Sequence, residues 1–524
     1  MKPQRDKLDF DLLVVGGGIN GAGIARDAAG RGLSVVLCEK DDLASHTSSA
    51  STKLIHGGLR YLEYYEFGLV RKALIEREVL LRSAPHIMWP LRFVMPHDQG
   101  LRPAWLIRAG LFLYDSLARR VLLRGSRGVS LRRHVAGEAL DDRFKRGFIY
   151  SDGWVDDARL VVLNAIAAAE KGATVFTHTT CEALTRQDGQ WNATLHRESG
   201  GSFNVRARCV VNATGPWAAH FLQGPARHQG GRTLRLIKGS HIVVKRLFDH
   251  SYAYIFQHPD GRIVFAIPYE RDFTLIGTTD LDYHGDIDKV AIEASEIDYL
   301  CKLTSHYFKQ AISPADVVWS YSGVRPLVEE EQNAGGKASA LTRDYRFELD
   351  HDGANGGAPM LSVFGGKITT FRKLAEEAVD LLAPLLGNTH GHWTADACLP
   401  GGDLFGPAPT NRSVQKFDQY VLQLQREFAW LAPSVVARYA RHYGSRTRAL
   451  LQTGAAGEEI LPGLYAAEVD YLLTHEWAQS AEDILWRRTK LGLHLPAGSA
   501  AKLDAWITAR LRGHRELAQA VAIQ

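Results

Sequence analysis

Three basic side chains surround a pair of glycines in the stretch KLIHGGLRYL, residues 53–62. The imidazole of His56 can accept a proton near neutral pH, because the ordinary pKa of histidine is about 6.5. The guanidinium of Arg60 can bind a phosphate or carboxylate through two parallel hydrogen bonds. Lys53 adds another positive charge, and Gly57–Gly58 lets a second group approach the backbone closely. The stretch therefore combines a candidate base with candidate ligands for an anion.

Three further cations lie far downstream and could bind the same anion. Arg325 in SGVRP follows an aromatic strand, where a buried charge is costly unless a ligand or a carboxylate meets it. Arg343 in LTRDY stands beside Asp344, so a local ion pair explains it as well as a ligand does. Lys367 follows a glycine pair at the start of a predicted helix, where it is either an exposed lysine or a partner of a nearby anion. His56 has a similar alternative, since a lone histidine is more often a structural hydrogen-bonding group.

A nucleotide-binding turn precedes these groups. The segment FDLLVVGGGINGAGIARDAAGRGLSVVLCEK predicts a strand, a glycine turn, a helix and a second strand. Gly16, Gly18 and Gly21 complete a GxGxxG, in which the glycines permit the tight turn, the approach of a pyrophosphate and close helix packing. Glu39 ends the second strand, where its carboxylate can accept hydrogen bonds from a ribose. The segment predicts a dinucleotide site and leaves open whether the ligand is NAD or FAD.

Two later segments repeat the pattern of a strand followed by a glycine turn. ARCVVNATGPW, residues 207–217, ends in Ala213-Thr214-Gly215. LSVFGGKITTFRKLAEEAVDLL, residues 361–382, has Gly365-Gly366 between a strand and an amphipathic helix. We expect the three turns to converge on one extended cofactor.

The composition is that of a large globular protein. The chain has 524 residues, of which 45% are hydrophobic, and the formal net charge of +4 gives no indication of nucleic acid binding. The five cysteines lie far apart without metal-ligand spacing, so we expect reduced thiols, an intracellular protein and no metal site. The N-terminus has no signal-peptide pattern, and no window reaches the roughly 18 apolar residues of a membrane-spanning helix.

Eight motifs, in order along the chain, resemble the FAD-dependent, aerobic-type glycerol-3-phosphate dehydrogenases of the D-amino-acid-oxidase-like superfamily: TSSASTKLIHGGLRYLE, VNATGPW, LIKGSHIVV, IGTTD, YSGVRPL, LTRDY, SVFGGKITT and DILWRRTK. The resemblance implies oxidation of sn-glycerol 3-phosphate to dihydroxyacetone phosphate by hydride transfer to FAD, with the electrons passed to membrane quinone. It also implies an α/β and α+β fold with a split Rossmann-like FAD domain, a mainly antiparallel substrate sheet and a helical C-terminal cap.

The resemblance assigns roles to individual residues. His56, Arg325 and Lys367 would be catalytic, although which group accepts the proton stays open. The substrate would contact Arg60, Tyr61, His241, Thr279 and Arg343. The cofactor would contact Gly16, Gly18, Gly21, Glu39, Ser48, Ser49, Lys53, Leu54, Gly57, Gly58, Ala213, Thr214, Gly215, Gly365, Gly366, Ile368 and Thr369. In KLIHGGLRYL, Lys53 would face FAD, whereas His56, Arg60 and Tyr61 would face the substrate.

The chain divides into three predicted domains. The FAD domain combines residues 1–65, 145–230 and 340–395, and the substrate-binding, membrane-facing domain combines 66–144 and 231–339. Residues 62–145 look helical and Arg-rich, and alternating β-branched and aromatic stretches follow residue 231. The Pro- and Gly-rich segment 398–412 precedes a helical domain at 400–524. That domain has an apolar stripe at the helical spacing: Val414, Phe417, Val421, Leu424, Phe428 and Leu431. A further helix is predicted to begin at a Ser480–Asp483 capping pair.

Residues 101–134 resemble a segment that lies on a membrane surface. They contain eight arginines and one aspartate, interleaved with apolar residues such as Trp105 and Phe112. A core helix beside a solvated basic loop is the alternative.

Mitochondrial members of the family carry calcium-binding loops and a transit peptide, which are absent here. We therefore expect a peripheral protein on the cytoplasmic face of a bacterial inner membrane. A homodimer is also compatible with the sequence.

Other functions remain as alternatives. A related enzyme could pass its electrons to oxygen as a glycerol-3-phosphate oxidase, or could oxidise a 2-hydroxy acid or an amine. Substrates of the latter kind need a partner for a carboxylate only, whereas a phosphate dianion needs several cations. A flavin-containing scaffold or sensor without turnover is a third alternative, which the combination of base and anion ligands disfavours.

Overall fold

The computed structural model describes residues 8–98, 102–227, 234–257, 262–328, 344–351 and 357–522. Within them the strands are β1 (Leu8–Val15), β2 (Val35–Cys38), β3 (Leu54–Ile55), β4 (Met88–His97), β5 (Arg127–Ser130), β6 (Arg146–Val155), β7 (Thr174–Phe176), β8 (Thr179–Gln187), β9 (Gln190–Arg197), β10 (Ser202–Asn212), β11 (Leu234–Lys245), β12 (Ala253–Gln257), β13 (Ile263–Tyr269), β14 (Phe273–Gly277), β15 (Leu281–Asp282), β16 (Val317–Val328), β17 (Arg346–Asp350), β18 (Met360–Phe364), β19 (Glu459–Leu461) and β20 (Leu464–Tyr465). The helices are α1 (Ile19–Gly30), α2 (Phe67–Ser83), α3 (Ala104–Ser116), α4 (Asp157–Glu170), α5 (Ala218–Gln223), α6 (Ala294–Tyr307), α7 (Phe371–Leu386), α8 (Asn411–Gln415), α9 (Phe417–Glu427), α10 (Pro433–Tyr443), α11 (Thr447–Leu450), α12 (Ala466–His475) and α13 (Ser499–Ala522).

The first sheet has the parallel centre that the glycine motif predicts. Its spatial order is β17-β18-β10-β1-β2-β7, and the β8–β9 hairpin extends from β10. The pairs β1–β10, β1–β2, β10–β18 and β2–β7 are all parallel. One core packs α1, α4 and α7 against this sheet, and a second core lies on the opposite face. β2 and the second half of β1, residues 12–15, are buried on both faces, and these stretches are continuously apolar in sequence. The predicted Rossmann-like architecture is confirmed.

The second sheet is mainly antiparallel, as predicted. Its strands follow the order β15-β11-β14-β13-β12-β4-β6-β3, with β16 paired to β11 and β5 paired to β6. Among the described pairs of this sheet, only β12–β4 is parallel. Side chains of α6 pack on one face, and side chains of α2 and α3 pack on the other. The β-branched and aromatic stretches after residue 231 form this sheet.

Four strands lie in a different sheet or element from the one expected, among them β5, which lies in the region that looked helical. β6 pairs with β4 along its whole length, so it belongs to the second sheet. The predicted domain boundary at residue 145 had placed it in the FAD domain. β3 also joins this sheet through β6. β4 itself lies in the region that looked helical. β6 is mostly apolar and, beyond Arg146, buried on both faces, and a pattern of that kind fits either sheet equally well.

The C-terminal region is helical, as predicted. Residues 398–410 form neither helix nor strand, and α8 follows them. Most of the predicted stripe enters one core of the helical region, although Val414 packs against the core of the first sheet. The Asp483 carboxylate accepts a hydrogen bond from the Ser480 amide, and the Asp483 amide donates one to the Ser480 hydroxyl. These two contacts confirm the capping pair. The helix continues as a π-helix over Asp483–Arg488.

Two histidines are buried where the helical region meets the first sheet. Burial lowers the pKa of His86 well below its ordinary value, and Arg159 and Arg441 add to this effect. Burial also lowers the pKa of His442, together with Arg438 and Arg159. Both rings therefore stay neutral in the folded protein at pH values where the unfolded chain binds protons.

We predict that stability falls as the pH falls below about 6.5, the unfolded pKa of histidine. Below that value each buried neutral histidine removes up to about 1.4 kcal/mol of unfolding free energy per pH unit, because only the unfolded chain gains the proton. Urea unfolding at several pH values measures the slope. In the His86→Leu variant this slope should be smaller by about the contribution of one histidine. A slope equal to that of the parent protein would contradict this assignment.

Candidate active site

The three glycine turns meet at a single elongated cavity of about 560 Å³. The turns follow β1, β10 and β18, which are neighbours in the first sheet and run in the same direction. The carboxyl ends of parallel strands lie at one edge of a sheet, which is where open α/β folds bind their ligands. Gly16, Gly18, Ala213–Gly215 and Gly365–Gly366 all line this cavity.

The turn after β1 has no room for side chains. Gly16 has a φ of +110°, and a Cβ built on it would lie 2.5 Å from the carbonyl oxygen of Ala213. A Cβ on Gly21 would lie 1.9 Å from the carbonyl oxygen of Gly16. Gly21 therefore does not line the cavity and serves the packing of α1 against β1. The backbone is left open to a ligand at Gly16 and Gly18, as a pyrophosphate requires.

Two side chains hold this turn in place. The Glu39 carboxylate accepts hydrogen bonds from the amides of Gly17, at 2.6 Å, and Asp41, at 3.0 Å. Burial raises the pKa of Glu39, and these two amide donors oppose that effect. The Ser48 hydroxyl accepts a hydrogen bond from the Ile19 amide at 2.9 Å. Glu39 and Ser48 both line the cavity, so each is placed to contact a nucleotide while it supports the turn.

Glu39 also belongs to a cluster that could bind a metal ion, although the sequence predicted no such site. One ligand atom each from Glu39, Asp41 and His46 lies within 4.8 Å of the others. His46 Nε2 contacts the Asp41 carboxylate at 2.6 Å, and the Lys40 ammonium contacts the same group at 2.6 Å. With these contacts and the amides that donate to Glu39, each of the three groups has a hydrogen-bond or ion-pair partner within the protein.

The other end of the cavity carries the predicted catalytic groups. His56, Arg60, Tyr61, Arg325 and Lys367 all line it. The Lys367 ammonium lies 3.8 Å from the centre of the Tyr61 ring, as in a cation–π contact. Arg325 forms an ion pair with Asp280 at 3.1 Å. Pairing with a carboxylate was one of the two alternatives that the sequence left open for this cation.

His241 lines the same end and is held as a neutral ring. Burial lowers its pKa well below the ordinary value, and Lys53 and Arg325 add to this effect. Its Nε2 contacts the Thr52 hydroxyl at 2.9 Å, and its ring stacks on Tyr321 at 4.8 Å. Its Nδ1 is buried and has no hydrogen-bond partner among the described residues. A polar ligand in the cavity would supply such a partner.

Some predicted site residues lie away from the cavity. The Lys53 side chain is 1% exposed, forms an ion pair with Asp157 at 2.7 Å and does not line the cavity, so its contact with the cofactor stays a prediction. The Thr279 hydroxyl donates to Glu296 at 2.7 Å and accepts from the Ser240 amide, and Thr279 does not line the cavity. Leu54, Gly58, Ile368 and Thr369 line the cavity, whereas Ser49 and Gly57 do not. Arg343 lies outside the described residues.

A buried network that the sequence did not indicate supports the segment containing His56. Tyr114 of α3 accepts a hydrogen bond from the Gly57 amide at 2.8 Å and donates to Asp152 at 2.8 Å. Arg77 forms an ion pair with the same Asp152. A Cβ on Gly57 would lie 2.6 Å from the Tyr114 hydroxyl oxygen, so glycine is needed there for packing. Nothing in the sequence indicated this role for Tyr114, because its helix looked like a surface segment.

The fold and this cavity together define a dinucleotide-dependent oxidoreductase. The first sheet presents its three glycine turns to the cavity, and the second sheet contributes His241 and Arg325 to its lining. Comparison with known proteins gives the family. Residues 11–372 match the family described as FAD dependent oxidoreductase, and residues 392–508 match the C-terminal domain of alpha-glycerophosphate oxidase. The chain belongs to the FAD-dependent oxidoreductase family.

Three similar proteins extend over nearly the whole chain. A glycerol-3-phosphate dehydrogenase of Pseudomonas aeruginosa is 53% identical over 502 residues, which are 95% of each chain. A D-erythritol 1-phosphate dehydrogenase of Brucella abortus is 50% identical over 505 residues, 95% of this chain and 97% of the relative. The crystal structure of a glycerol-3-phosphate dehydrogenase from Bacillus halodurans complexed with FAD has a TM-score of 0.75 and 28% identity, and covers 97% of this chain and 90% of that one.

FAD is therefore the cofactor, and the cavity fits it. The side-chain-free turn at Gly16–Gly18 suits a pyrophosphate, and the buried Glu39 suits a ribose. The Ala213–Gly215 and Gly365–Gly366 turns would border the rest of the dinucleotide. The cofactor and the family that the sequence motifs predicted are both confirmed.

We predict that Gly16→Ala weakens FAD binding by at least about tenfold, because the new methyl group would force the turn away from Ala213. Flavin absorbance per protein and titration with FAD measure the loss. Gly172→Ala is the matched control, since Gly172 has a φ of +96° and open space around its Cβ. An equal loss in both variants would attribute the effect to backbone strain and contradict the role of the Gly16 contact.

Proposed function

We propose that the chain oxidises sn-glycerol 3-phosphate to dihydroxyacetone phosphate, with FAD as the hydride acceptor and membrane quinone as the final acceptor. The observation that carries this proposal is the cavity itself: the glycine turns for FAD and the cationic groups Arg60, Arg325 and Lys367 line one continuous space. The similarity to glycerol-3-phosphate dehydrogenases along the whole chain supports the same substrate.

Arg60 and Arg325 are the proposed ligands of the substrate phosphate. Each guanidinium offers paired donors that match phosphate oxygens, and each charge-assisted hydrogen bond contributes roughly 1.5–3 kcal/mol. Arg325 already contacts Asp280, which lines the cavity as well. This contact with the carboxylate holds the guanidinium beside the cavity. Arg343 stays a predicted third ligand.

His56 is the proposed acceptor of the hydroxyl proton. Its backbone amide donates to the Thr369 hydroxyl at 3.1 Å, which fixes this segment against the turn after β18. His241 is held neutral by burial, so it can accept a hydrogen bond from a substrate hydroxyl through its Nδ1. Lys367 would hold negative charge that develops on the reacting oxygen. Bound FAD supplies the redox chemistry by accepting the hydride.

A four-carbon polyol phosphate is a second candidate substrate. The Brucella abortus relative, named for D-erythritol 1-phosphate, is almost as similar to this chain as the Pseudomonas aeruginosa relative. Both substrates carry a phosphate and at least one secondary hydroxyl group on a short carbon chain, so the proposed anion ligands fit either one. The two candidates differ only in the length of the carbon chain beyond the oxidised carbon.

Anaerobic flavin titration tests these assignments. We predict that sn-glycerol 3-phosphate bleaches the flavin band and that glycerol and lactate do not. D-Erythritol 1-phosphate should also bleach it, but with a lower ratio of the reduction rate constant to the dissociation constant than sn-glycerol 3-phosphate. A reverse order of the two phosphates would assign the four-carbon substrate. Bleaching by lactate alone would support a 2-hydroxy acid enzyme, and no bleaching by any of them would contradict the proposed activity. Faster reoxidation by a soluble quinone than by oxygen is expected for a quinone-linked dehydrogenase.

The His56→Asn variant tests the proposed base. Asparagine keeps a polar side chain of similar size and cannot accept the proton, so flavin reduction should slow by about 10²–10⁴-fold while FAD remains bound. Rapid mixing with sn-glycerol 3-phosphate gives the rate, and absorbance gives the flavin content. An unchanged reduction rate would remove His56 from this role and leave His241 as the candidate.

We further propose that the chain binds a membrane surface through α3 and its neighbours. No described helix is long and apolar enough to cross a bilayer. Trp105 and Phe112 of α3 are 72% and 65% exposed, whereas Leu111 and Tyr114 on its other side are buried. Tyr65, in the adjoining segment, is 79% exposed. Exposed aromatic rings beside arginines are typical of interfacial helices. The predicted cytoplasmic face of the inner membrane belongs to this proposal, and the homodimer stays a prediction.

The Trp105→Gln/Phe112→Gln double variant should bind vesicles of anionic phosphatidylglycerol about tenfold less tightly, since it removes two rings that would enter the interface. Co-sedimentation measures binding. Trp430→Gln is the control, because Trp430 is 49% exposed on the C-terminal region, away from this surface. Failure of the parent protein to bind these vesicles, or equal losses in the double variant and the control, would contradict the proposal.

A further inference from the structure

The segment between Asp42 and Ser48 has no helix or strand, yet it forms a wall of the FAD cavity. Ala44, Ser45, His46, Thr47 and Ser48 all line the cavity. Ala44 has a φ of +63°, a conformation that a residue with a side chain keeps only where its surroundings impose it. The path of this segment therefore depends on how its two ends are held.

The second end of the segment is held by the nucleotide-binding turn and by β16 of the second sheet. The Ser48 hydroxyl accepts from the Ile19 amide at 2.9 Å, and the Ala44 amide donates to the Gly17 carbonyl at 3.3 Å. The Thr47 hydroxyl donates to the Val324 carbonyl at 2.7 Å. These contacts fix residues 44–48 against the nucleotide-binding turn and β16.

The first end is held by the C-terminal region. Asp42 is 1% exposed and accepts two hydrogen bonds from Arg488, both at 2.7 Å, in a bidentate ion pair. Arg487 donates to the same carboxylate through its Nε at 2.6 Å. Burial alone would raise the pKa of Asp42, but Arg488 and Arg487 hold it below the ordinary value. The carboxylate is thus fully ionised and fully paired at neutral pH.

The ion pair continues into a larger buried network. The Arg488 Nη2 also donates to the Glu476 carbonyl at 2.7 Å. The Glu476 carboxylate binds Arg159 of α4, and Arg159 and Glu476 are both 0% exposed. Asp42 and Arg159 belong to the first sheet and its helices, whereas Glu476 and Arg488 belong to the C-terminal region. Opposite charges therefore alternate across the boundary between the two regions.

We propose that Arg488 and Arg487 are positioning residues for FAD, through which the C-terminal region holds the Asp42–Ser48 wall of the cofactor cavity. Loss of Arg488 leaves a buried carboxylate without its bidentate partner, and such a group is relieved only by rearrangement or by protonation. Either outcome releases the first end of the segment. The wall then samples other conformations, and FAD must order it again on binding, at the expense of affinity. The proposal concerns the binding of FAD and does not depend on which substrate the enzyme oxidises.

The test compares FAD binding in full-length Arg488→Gln, Arg488→Lys and Arg487→Gln. We expect Arg488→Gln to raise the FAD dissociation constant about tenfold, measured by the fluorescence of released flavin. Arg488→Lys, which keeps the charge without the bidentate geometry, should have an intermediate effect. Arg487→Gln, which removes one hydrogen bond and is 11% exposed in the folded protein, should have the smallest effect and remain folded.

A matched control separates positioning from general stability. Arg438 forms a partly buried bidentate pair with Glu468, and both residues lie within the C-terminal region. Arg438→Gln should lower the melting temperature with and without FAD equally, and so leave the FAD-induced shift unchanged. The Arg488 and Arg487 variants should reduce that shift. An unchanged shift in all three variants, or the same reduction in Arg438→Gln, would overturn the proposal.

Discussion

The whole site depends on how closely the turn after β1 approaches the end of β10. A Cβ on Gly16 would lie 2.5 Å from the Ala213 carbonyl, and one on Gly21 would lie 1.9 Å from the Gly16 carbonyl. Only glycine permits this contact between two backbones, because any side chain would separate the strand ends. The contact brings two of the three turns to one edge of the sheet. β18 adds the third by pairing with β10.

This constraint is local in sequence, which is why the nucleotide end could be predicted. The GxGxxG spacing, the apolar stretches of β1 and β2, and Glu39 at the end of β2 all lie between residues 8 and 39. The turns after β10 and β18 repeat the same pattern of an apolar strand and glycine. Parallel strands must present such turns at the same edge, so their convergence follows from the pattern without knowledge of any contact.

The other end of the cavity could be predicted only in part. His56, Arg60, Arg325 and Lys367 line it as expected, but Lys53 and Thr279 do not. Lys53 pairs with Asp157, which is 104 positions away, and Thr279 binds Glu296 of α6. Nothing in the sequence around Lys53 or Thr279 indicates these partners. A cation next to glycine looks the same whether its partner is a ligand or a distant carboxylate.

The same difficulty explains the assignment of β6 to the wrong domain and the omission of Tyr114. The sequence of β6 shows that it is buried, and burial alone does not choose between two sheets that both need apolar strands. Tyr114 lies on a helix whose exposed face carries Trp105 and Phe112, so the pattern indicates the outer surface of the helix more clearly than the inner one. Its hydroxyl reaches Gly57 only because the second sheet positions α3 beneath that segment.

Residues 39–53 show why buried ion pairs are useful around this cavity. The segment has no regular structure, so the hydrogen bonds of a helix or a sheet do not fix it. Asp42 and Lys53 lie near its two ends, and both are buried and paired with charged groups from elsewhere in the chain. An apolar contact would also bury surface at these points, but it would tolerate sliding and rotation. A bidentate carboxylate–guanidinium pair fixes direction as well as distance, at a cost in desolvation that its hydrogen bonds must offset. The wall of a site that must bind a long, polar cofactor needs that directional control more than it needs additional stability.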